Sequence, residues 1–174
     1  MTTSLVVTVI GADRPGLVDT LSSAALAHEA NWEASRMVHL GGRFAGVFLV
    51  SVDADRAEAL EGDLNKLEGL RVVIERSAEE APTKDHRSYE LELIGHDRPG
   101  IIREIAHALA ERDVNVEELM TECTSAPMTG DPLFTLTAHL LCPPSLSSEA
   151  LQELLEAIAH DLMVDITLAL PEDE

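Results

Sequence analysis

The sequence repeats itself at a fixed offset, and this repeat constrains the fold more than any other feature. The stretch GADRPG at residues 11–16 recurs as GHDRPG at residues 95–100, 84 positions further on. Without a gap, the same offset also matches Ala24 with Ala108, Asn31 with Asn115 and Glu33 with Glu117. Two copies are too few for a solenoid, so the repeat predicts two similar domains.

Each copy has the pattern strand, helix, strand, strand, helix, strand. In the first copy, residues 5–10 are rich in β-branched side chains, and apolar residues at helical spacing follow the turn. Pro15 is expected at or near the first helical position. Residues 31–40 and 44–52 flank Gly41-Gly42 and form a predicted hairpin. A second helix and a final strand are predicted from the remaining apolar positions, Leu60, Leu64, Leu67 and residues 70–75.

The second copy repeats this order with a longer hairpin loop. We predict a strand at 89–94, a helix at 99–112, strands at 114–124 and 133–141, and a last strand at 162–170. The fourth helix of the chain carries Leu151, Leu154, Leu155 and Ile158 at helical spacing. Ser147 or Ser148 is its expected N-cap.

This element order predicts the α+β class: two ferredoxin-like βαββαβ domains, each a four-stranded antiparallel sheet with two helices on one face. The domains are expected at 1–76 and 89–174. Residues 77–88 are polar and charged and contain Pro82, so they are interpreted as a linker. Residues 171–174 are interpreted as a frayed tail.

The sheet faces away from the helices differ between the copies. Glu90 and Glu92 point outward in the second copy, whereas Val6, Thr8, Val47 and Leu49 do so in the first. We therefore expect the outer face of the first copy to be the more buried one in an assembly.

Composition narrows the function. The formal net charge is −20, from 32 acidic and 12 basic side chains, and such a surface disfavours direct binding of DNA or RNA. Cys123 and Cys142 are expected to be buried free thiols in a reducing compartment. The first residues lack the features of a signal peptide, and no apolar run approaches a membrane span, so a cytoplasmic location is expected.

The repeated turn has the chemistry of a small binding site. A helix N-terminus exposes unpaired N–H donors and suits a carboxylate or phosphate, and Gly16 and Gly100 permit close approach. Asp13 and Asp97 add a carboxylate, so the turn suits a zwitterion such as an amino acid, and the amides of Asn31 and Asn115 are candidate additional contacts. The alternative is that Asp13 only caps nearby helix N–H groups.

Motifs for catalysis and metal binding are not found. The sequence has no His-Glu-x-x-His, no CxxC, no GxSxG and no P-loop, so neither an enzyme nor a cofactor is expected. His28, His107 and His160 are expected to be half-buried or surface residues of helices. His96 replaces Ala12 in the second turn, where it either tunes ligand choice or is simply exposed. Trp32 is expected at a strand edge or an interface.

The two stretches IGADRPGLV and IGHDRPGII, each followed by an asparagine within βαββαβ, resemble ACT domains, which are ligand-binding regulatory modules. The tandem layout, over about residues 4–76 and 88–170, resembles the glycine cleavage system transcriptional repressor family. The resemblance implies ligands held where two ACT domains meet, by one strand-to-helix turn and the start of a second strand. The ligand-binding residues that it implies are Gly11, Asp13, Arg14, Pro15, Gly16, Leu17 and Asn31, with Gly95, Asp97, Arg98, Pro99, Gly100, Ile101 and Asn115. His96 is a further candidate from its place within the second turn.

We therefore predict a regulator of transcription that senses a small amino acid, with glycine as the candidate. The resemblance also implies a protein partner such as a DNA-binding activator. A homodimer or higher homo-oligomer is expected as well, and the two copies could pair within the chain, between chains, or both. The alternative is an interaction module that binds no ligand. A third hypothesis is an enzyme, but the two repeats leave no room in this sequence for a catalytic domain.

Overall fold

The computed structural model describes residues 1–77, 85–125 and 130–170. The chain divides into two compact units, Met1–Pro82 and Thr83–Glu174, and each is described by itself. Residues 78–84 of the predicted linker, residues 126–129 of the predicted hairpin loop and the predicted tail at 171–174 lie outside the described residues.

The first unit has the predicted element order. Its sheet order is β2-β3-β1-β4, and all neighbouring strands are antiparallel. The elements are β1 (Thr2–Ala12), α1 (Leu17–Ala27), β2 (Asn31–Leu40), β3 (Arg43–Asp53), α2 (Ala54–Asn65) and β4 (Leu70–Ser77).

The second unit repeats the first. Its sheet order is β6-β7-β5-β8, again antiparallel throughout. Its elements are β5 (Arg87–His96), α3 (Ile101–Ala110), β6 (Asn115–Ser125), β7 (Pro132–Cys142), α4 (Ser148–Leu162) and β8 (Val164–Ala169). The fold class of two ferredoxin-like domains is confirmed. Ser147 is the cap of α4, with its hydroxyl accepting from the Ala150 amide at 3.2 Å.

Each unit has its own hydrophobic core, formed by one sheet face and two helices. In the first unit, Phe48 on β3 is 1% exposed, and its ring stacks on Trp32 with centroids 4.3 Å apart. Trp32 is partly buried against this core on β2, an edge strand of the sheet, as its predicted strand-edge position requires. The core therefore extends to the sheet edge through this aromatic pair.

His28 links the two helices of the first unit. Its Nε2 lies 2.9 Å from an Asp63 carboxylate oxygen on α2, and its side chain is 16% exposed. Hydrogen bonds from His28 and then Lys66 lower the pKa of Asp63. The stabilisation from this carboxylate is present above its unfolded-state pKa and is lost as pH falls through the lower folded-state value. His28 is thus half-buried, as expected, and His107 and His160 are exposed.

The outer sheet faces differ as the alternation predicts. In the first unit Val6 pairs with Leu49 and Thr8 with Val47, and Val47 is 40% exposed. At the equivalent positions of the second unit, Glu90 pairs with His139 and Glu92 with Thr137. The first outer face is therefore mainly apolar, whereas the second is polar and acidic.

The expectation for the two cysteines is half wrong. Cys142 on β7 is 1% exposed, but Cys123 on β6 is exposed. β6 is an edge strand, and its residues from Leu119 to Ser125 are all exposed, so an inward position near its end is not covered. Burial raises the pKa of the Cys142 thiol and keeps it unreactive.

Candidate functional site

The repeated turn has the same backbone geometry in both units. Gly16 and Gly100 are the N-caps of α1 and α3, with φ of 88° and 100° in the left-handed region. This conformation is strained for any residue with a Cβ. Because the helices begin at Leu17 and Ile101, Pro15 and Pro99 lie just before the caps and not inside the helices.

The space in front of Gly16 is open. A Cβ built there would meet no atom within 4 Å, and one at Gly100 would meet only the Glu104 carboxylate at 3.7 Å. Since a glycine N-cap has no side chain, it leaves the first helical amides without a side-chain cap of its own. The turn thus presents an accessible helix start in each unit.

Gly11 and Gly95 have a different role from Gly16 and Gly100. A Cβ on Gly11 would lie 2.2 Å from the Gly69 carbonyl oxygen, and one on Gly95 would lie 2.4 Å from Val164 Cγ1. These glycines allow the first and last strands of each unit to pack closely at this end of the sheet. The structure gives them a packing function that is independent of any ligand.

Each turn carboxylate has a partner on the second strand of its own unit. In the first unit, Asp13 Oδ2 and His39 Nδ1 are in hydrogen-bond contact. In the second, the Asp97 carboxylate accepts a hydrogen bond from the Cys123 thiol. The main chain is held in a similar way, since the Asp13 amide donates to Gly42 at 3.5 Å and the Asp97 amide to Pro132 at 3.1 Å. The alternative prediction was that Asp13 caps nearby helix N–H groups. The partner that the structure shows for its carboxylate is instead His39, a strand residue.

The Cys123 thiol is affected by this neighbour. Partial desolvation raises its pKa, and the charge of Asp97 and the hydrogen bond to it raise the pKa further. Desolvation and the neighbouring carboxylate together keep this exposed thiol protonated, and an uncharged thiol leaves the charge on Asp97 uncompensated.

The two arginines of the repeated turn make different contacts. Arg14 donates from Nη2 to the Glu68 carbonyl oxygen at 3.3 Å, which joins the turn to the segment before β4. Arg98 forms an ion pair at 3.5 Å with Glu104 in the first turn of its own helix. Both are exposed pairs and contribute little to stability.

The two residues that follow the N-caps are core residues. Leu17 and Ile101 are each 2% exposed. Their side chains face the core, so only their backbone amides remain for a ligand. Pro15 and Pro99, in contrast, are exposed beside the turn.

Asn31 and Asn115 lie at the opposite end of each sheet from the turn. Asn31 pairs with Ser51, which pairs with Ser4 on β1, whereas Gly11 is at the far end of that strand. At about 3.4 Å per residue, the separation is about 24 Å. Asn115 is equally distant from Gly95, through Leu141 and Ser88. A ligand cannot touch the turn and the asparagine of one unit together.

His96 lines a groove on the second unit. The groove has a volume of about 580 Å³ and lies between the end of β5, the start of β8 and the end of α4. Its lining also includes His160, Met163 and Asp165. His96 therefore faces a surface that α4 helps to form.

Sequence inspection did not identify His39 and Cys123 as members of the site. The repeat offset that relates Asp13 to Asp97 also relates residue 39 to residue 123, but the side chains differ and no identity marks the position. The turn and the strand end are far apart in sequence, so only the sheet register brings them together.

No three His, Cys, Asp or Glu side chains lie close enough to hold a metal ion among the residues that the structure describes. Within the same residues, no helix has both the length and the apolar character needed to cross a membrane.

Comparison with known proteins identifies the fold family. Two models described as ACT domain match the chain, one over residues 3–74 and the other over residues 89–139. The chain belongs to the ACT-domain family, with two domains in tandem. Each matched region begins with the strand that leads into a GxDRPG turn.

Relatives of similar length match nearly the whole chain. Over 164 residues the chain is 26% identical to the glycine cleavage system transcriptional repressor of Escherichia coli K12, covering 91% of this chain and 85% of that one. A protein of unknown function from Galdieria sulphuraria has a solved structure with a TM-score of 0.88 and 35% identity, covering 99% and 100%. A solved structure provisionally named as a glycine cleavage system transcriptional repressor gives a TM-score of 0.72 at 20% identity, covering 99% of both chains, and shows the fold alone.

Proposed function

We propose that this tandem ACT-domain protein is a regulator of transcription that senses a small amino acid and transmits its occupancy to a protein partner. The observation that carries the proposal is the turn itself, present twice. A carboxylate, Asp13 or Asp97, lies beside a helix start whose cap is a glycine. The helix amides suit a ligand carboxylate, and the aspartate suits a ligand ammonium.

The comparisons and the charge support the regulatory part of this proposal. The Escherichia coli relative is a transcriptional repressor and matches nearly the whole chain. With a net charge of −20, direct contact with DNA is unfavourable, so the proposed route is through a protein, such as a DNA-binding activator. Ligand that binds one assembly state better than another shifts the population between them. The proposed function involves no catalysis by this chain.

Glycine is the proposed first ligand to test, because the Escherichia coli relative is named a glycine cleavage system transcriptional repressor. A ligand of about five heavy atoms, at about −1.5 kcal/mol per atom, cannot exceed about −7.5 kcal/mol, which limits Kd to about micromolar or weaker. Asn31 and Asn115 lie too far from their own turns to share a ligand with them. We propose that they contribute only where another copy of the chain supplies the turn.

We expect isothermal titration calorimetry with a panel of small amino acids to give saturable binding. Asp13→Ala and Asp97→Ala should each lower the affinity of one turn for the amino acid by about 10-fold or more, because each removes the ion pair to the ligand ammonium. Asp161→Ala, at an exposed position on α4, is the matched control and should leave binding unchanged.

Absence of heat with every amino acid up to millimolar concentration, from a protein shown to be folded, would contradict the sensor proposal. The partner step is tested separately by capture of the activator with and without saturating glycine. Capture that does not respond to glycine would restrict the proposal to ligand binding.

The apolar outer face of the first unit favours a second function, an interaction module that binds no ligand. On this face Val6 pairs with Leu49, and the adjacent pair is Thr8 with Val47. The equivalent face of the second unit is acidic. An apolar sheet face of this kind is typical of a surface that another layer covers.

Val47→Asp should dissociate any assembly that uses this face, because it buries a charge in an apolar interface. The mass is measured by size-exclusion chromatography with light scattering. Thr137→Asp, at the equivalent position of the second unit, is the matched control and should keep the mass of the unmodified protein. An unchanged mass for Val47→Asp would show that the face is not an interface.

A further inference from the structure

The two turns carry the same carboxylate but hold it with different side chains. His39 contacts Asp13 in the first unit, and Cys123 contacts Asp97 in the second. Both partners occupy the same register position, since His39 pairs with Phe44 and Cys123 with Phe134 on the next strand. The repeat therefore preserves the contact and changes its chemistry.

The chemical difference concerns charge. An imidazole takes up a proton near neutral pH, and the resulting imidazolium compensates a neighbouring carboxylate. A protonated thiol carries no charge. The protonated thiol beside Asp97 therefore leaves the charge of that carboxylate uncompensated.

We infer that His39 and Cys123 are specificity-determining residues, which set whether each turn prefers a zwitterion or a simple carboxylate. This inference rests on the proposed function. When His39 is protonated, the first turn favours a ligand with a carboxylate and no ammonium. When His39 is neutral, Asp13 is uncompensated and favours an amino acid. The second turn favours an amino acid throughout.

Other charged groups near His39 do not replace it in this role. Arg14, in the same turn as Asp13, donates to the Glu68 carbonyl. Arg43, at the start of β3, alternates to the opposite sheet face from its neighbour Phe44, which is buried. In the second unit, Arg98 pairs with Glu104, and His96 lines the groove beside α4.

The test compares glycine with glycolate, in which a hydroxyl replaces the ammonium. Binding is measured by calorimetry at about pH 5.5 and about pH 8, on either side of the usual histidine titration. Asp97→Ala isolates the first site and Asp13→Ala isolates the second. Because the His39 side chain is 61% exposed, we expect a modest effect: the glycine-to-glycolate affinity ratio at the first site should rise about 3- to 5-fold between these pH values.

The exchange of the two partner residues sharpens the test. His39→Cys in the Asp97→Ala background should remove the pH dependence, and Cys123→His in the Asp13→Ala background should create it. His107→Gln, an exposed histidine on α3 that faces Glu111, is the control and should change neither profile.

A measurement without ligand tests the contact in the second unit. Alkylation of Cys123, followed by peptide mass spectrometry, should be several-fold faster in Asp97→Asn, because loss of the carboxylate favours the thiolate. An unchanged alkylation rate would overturn the inference. If glycine binds but the glycine-to-glycolate affinity ratio changes neither with pH nor with the His39→Cys and Cys123→His substitutions, the inference is overturned. The proposed function would then still stand. If neither compound binds at any pH, the proposed function fails, and the inference fails with it.

Discussion

Gly11→Ala is expected to destabilise the first unit by about 2–3 kcal/mol, the upper range for overpacking a closely packed site. The added Cβ would lie 2.2 Å from the Gly69 carbonyl oxygen and 2.9 Å from Leu70 Cδ2. Backbone at Gly69 cannot move aside as a flexible side chain can. Since about 1 kcal/mol corresponds to about 4–8 °C in a domain of this size, the melting temperature should fall by about 10–20 °C.

The measurement can be made on one unit at a time. The chain contains one Trp and one Tyr, and Trp32 lies in the first unit and Tyr89 in the second. Tryptophan emission during thermal unfolding therefore follows the first unit, in which Gly11→Ala should shift the transition. Gly95→Ala should leave this signal unchanged and lower the stability of the second unit instead.

Three further variants separate the possible causes. Gly62→Ala, inside α2 with no atom within 4 Å of the new Cβ, should stabilise by about 0.5–1 kcal/mol. Gly16→Ala should cost about 1–2 kcal/mol through its positive φ alone. Val164→Ala should partly rescue Gly95→Ala, because it removes the Cγ1 atom that the new Cβ meets. Equal effects of Gly11→Ala and Gly16→Ala would contradict the packing role of Gly11.

The glycines of the two turns illustrate how much could be predicted from the sequence. The repeat, the element order and the βαββαβ topology were predictable, because apolar periodicity and turn residues act locally. All six glycine and proline positions of the two turns were also identified as a set. Their individual roles could not be predicted from the sequence. Gly11 is distinguished by the backbone that lies across the sheet from it, and Gly16 by its positive φ.

The partners of the turn carboxylates were missed for a similar reason. Asp13 and His39 are brought together by the pairing of β1 with β3 and of β3 with β2, a register that local patterns do not define. The same register places Asn31 about 24 Å from its own turn. Cys123 was expected to be buried because two cysteines form neither a disulfide framework nor a metal site, but a side chain near the end of an edge strand has little to cover it.

Phe48→Ala is expected to have the largest effect of any substitution considered, about 3–5 kcal/mol on the first unit. Phe48 is 1% exposed, and truncation leaves a cavity in the middle of β3. It also removes the ring that stacks on Trp32 at 4.3 Å with planes 2° apart. A unit of about 80 residues has a total stability of about 4–12 kcal/mol, so this variant is expected to lose a large share of the stability of the first unit.

Denaturant unfolding at low temperature gives the measurement, because the weakened unit remains folded there. Tryptophan emission should show a lower midpoint and, in the folded state, a longer emission wavelength, since Trp32 loses an apolar neighbour. Leu49→Ala, the next residue on the same strand but on the outer face, is the matched control and should cost less than about 1.5 kcal/mol.

The second unit supplies the comparison that makes this prediction specific. By the register of β5 with β7, the residue equivalent to Phe48 is Ala138, and Val116 on β6 takes the place of Trp32. The second core is therefore built without this aromatic pair and depends more on its aliphatic residues. Phe48→Ala makes the first unit resemble the second at one position without the compensating neighbours. A loss below about 1 kcal/mol would mean that the aliphatic residues of the first core support the fold without the pair.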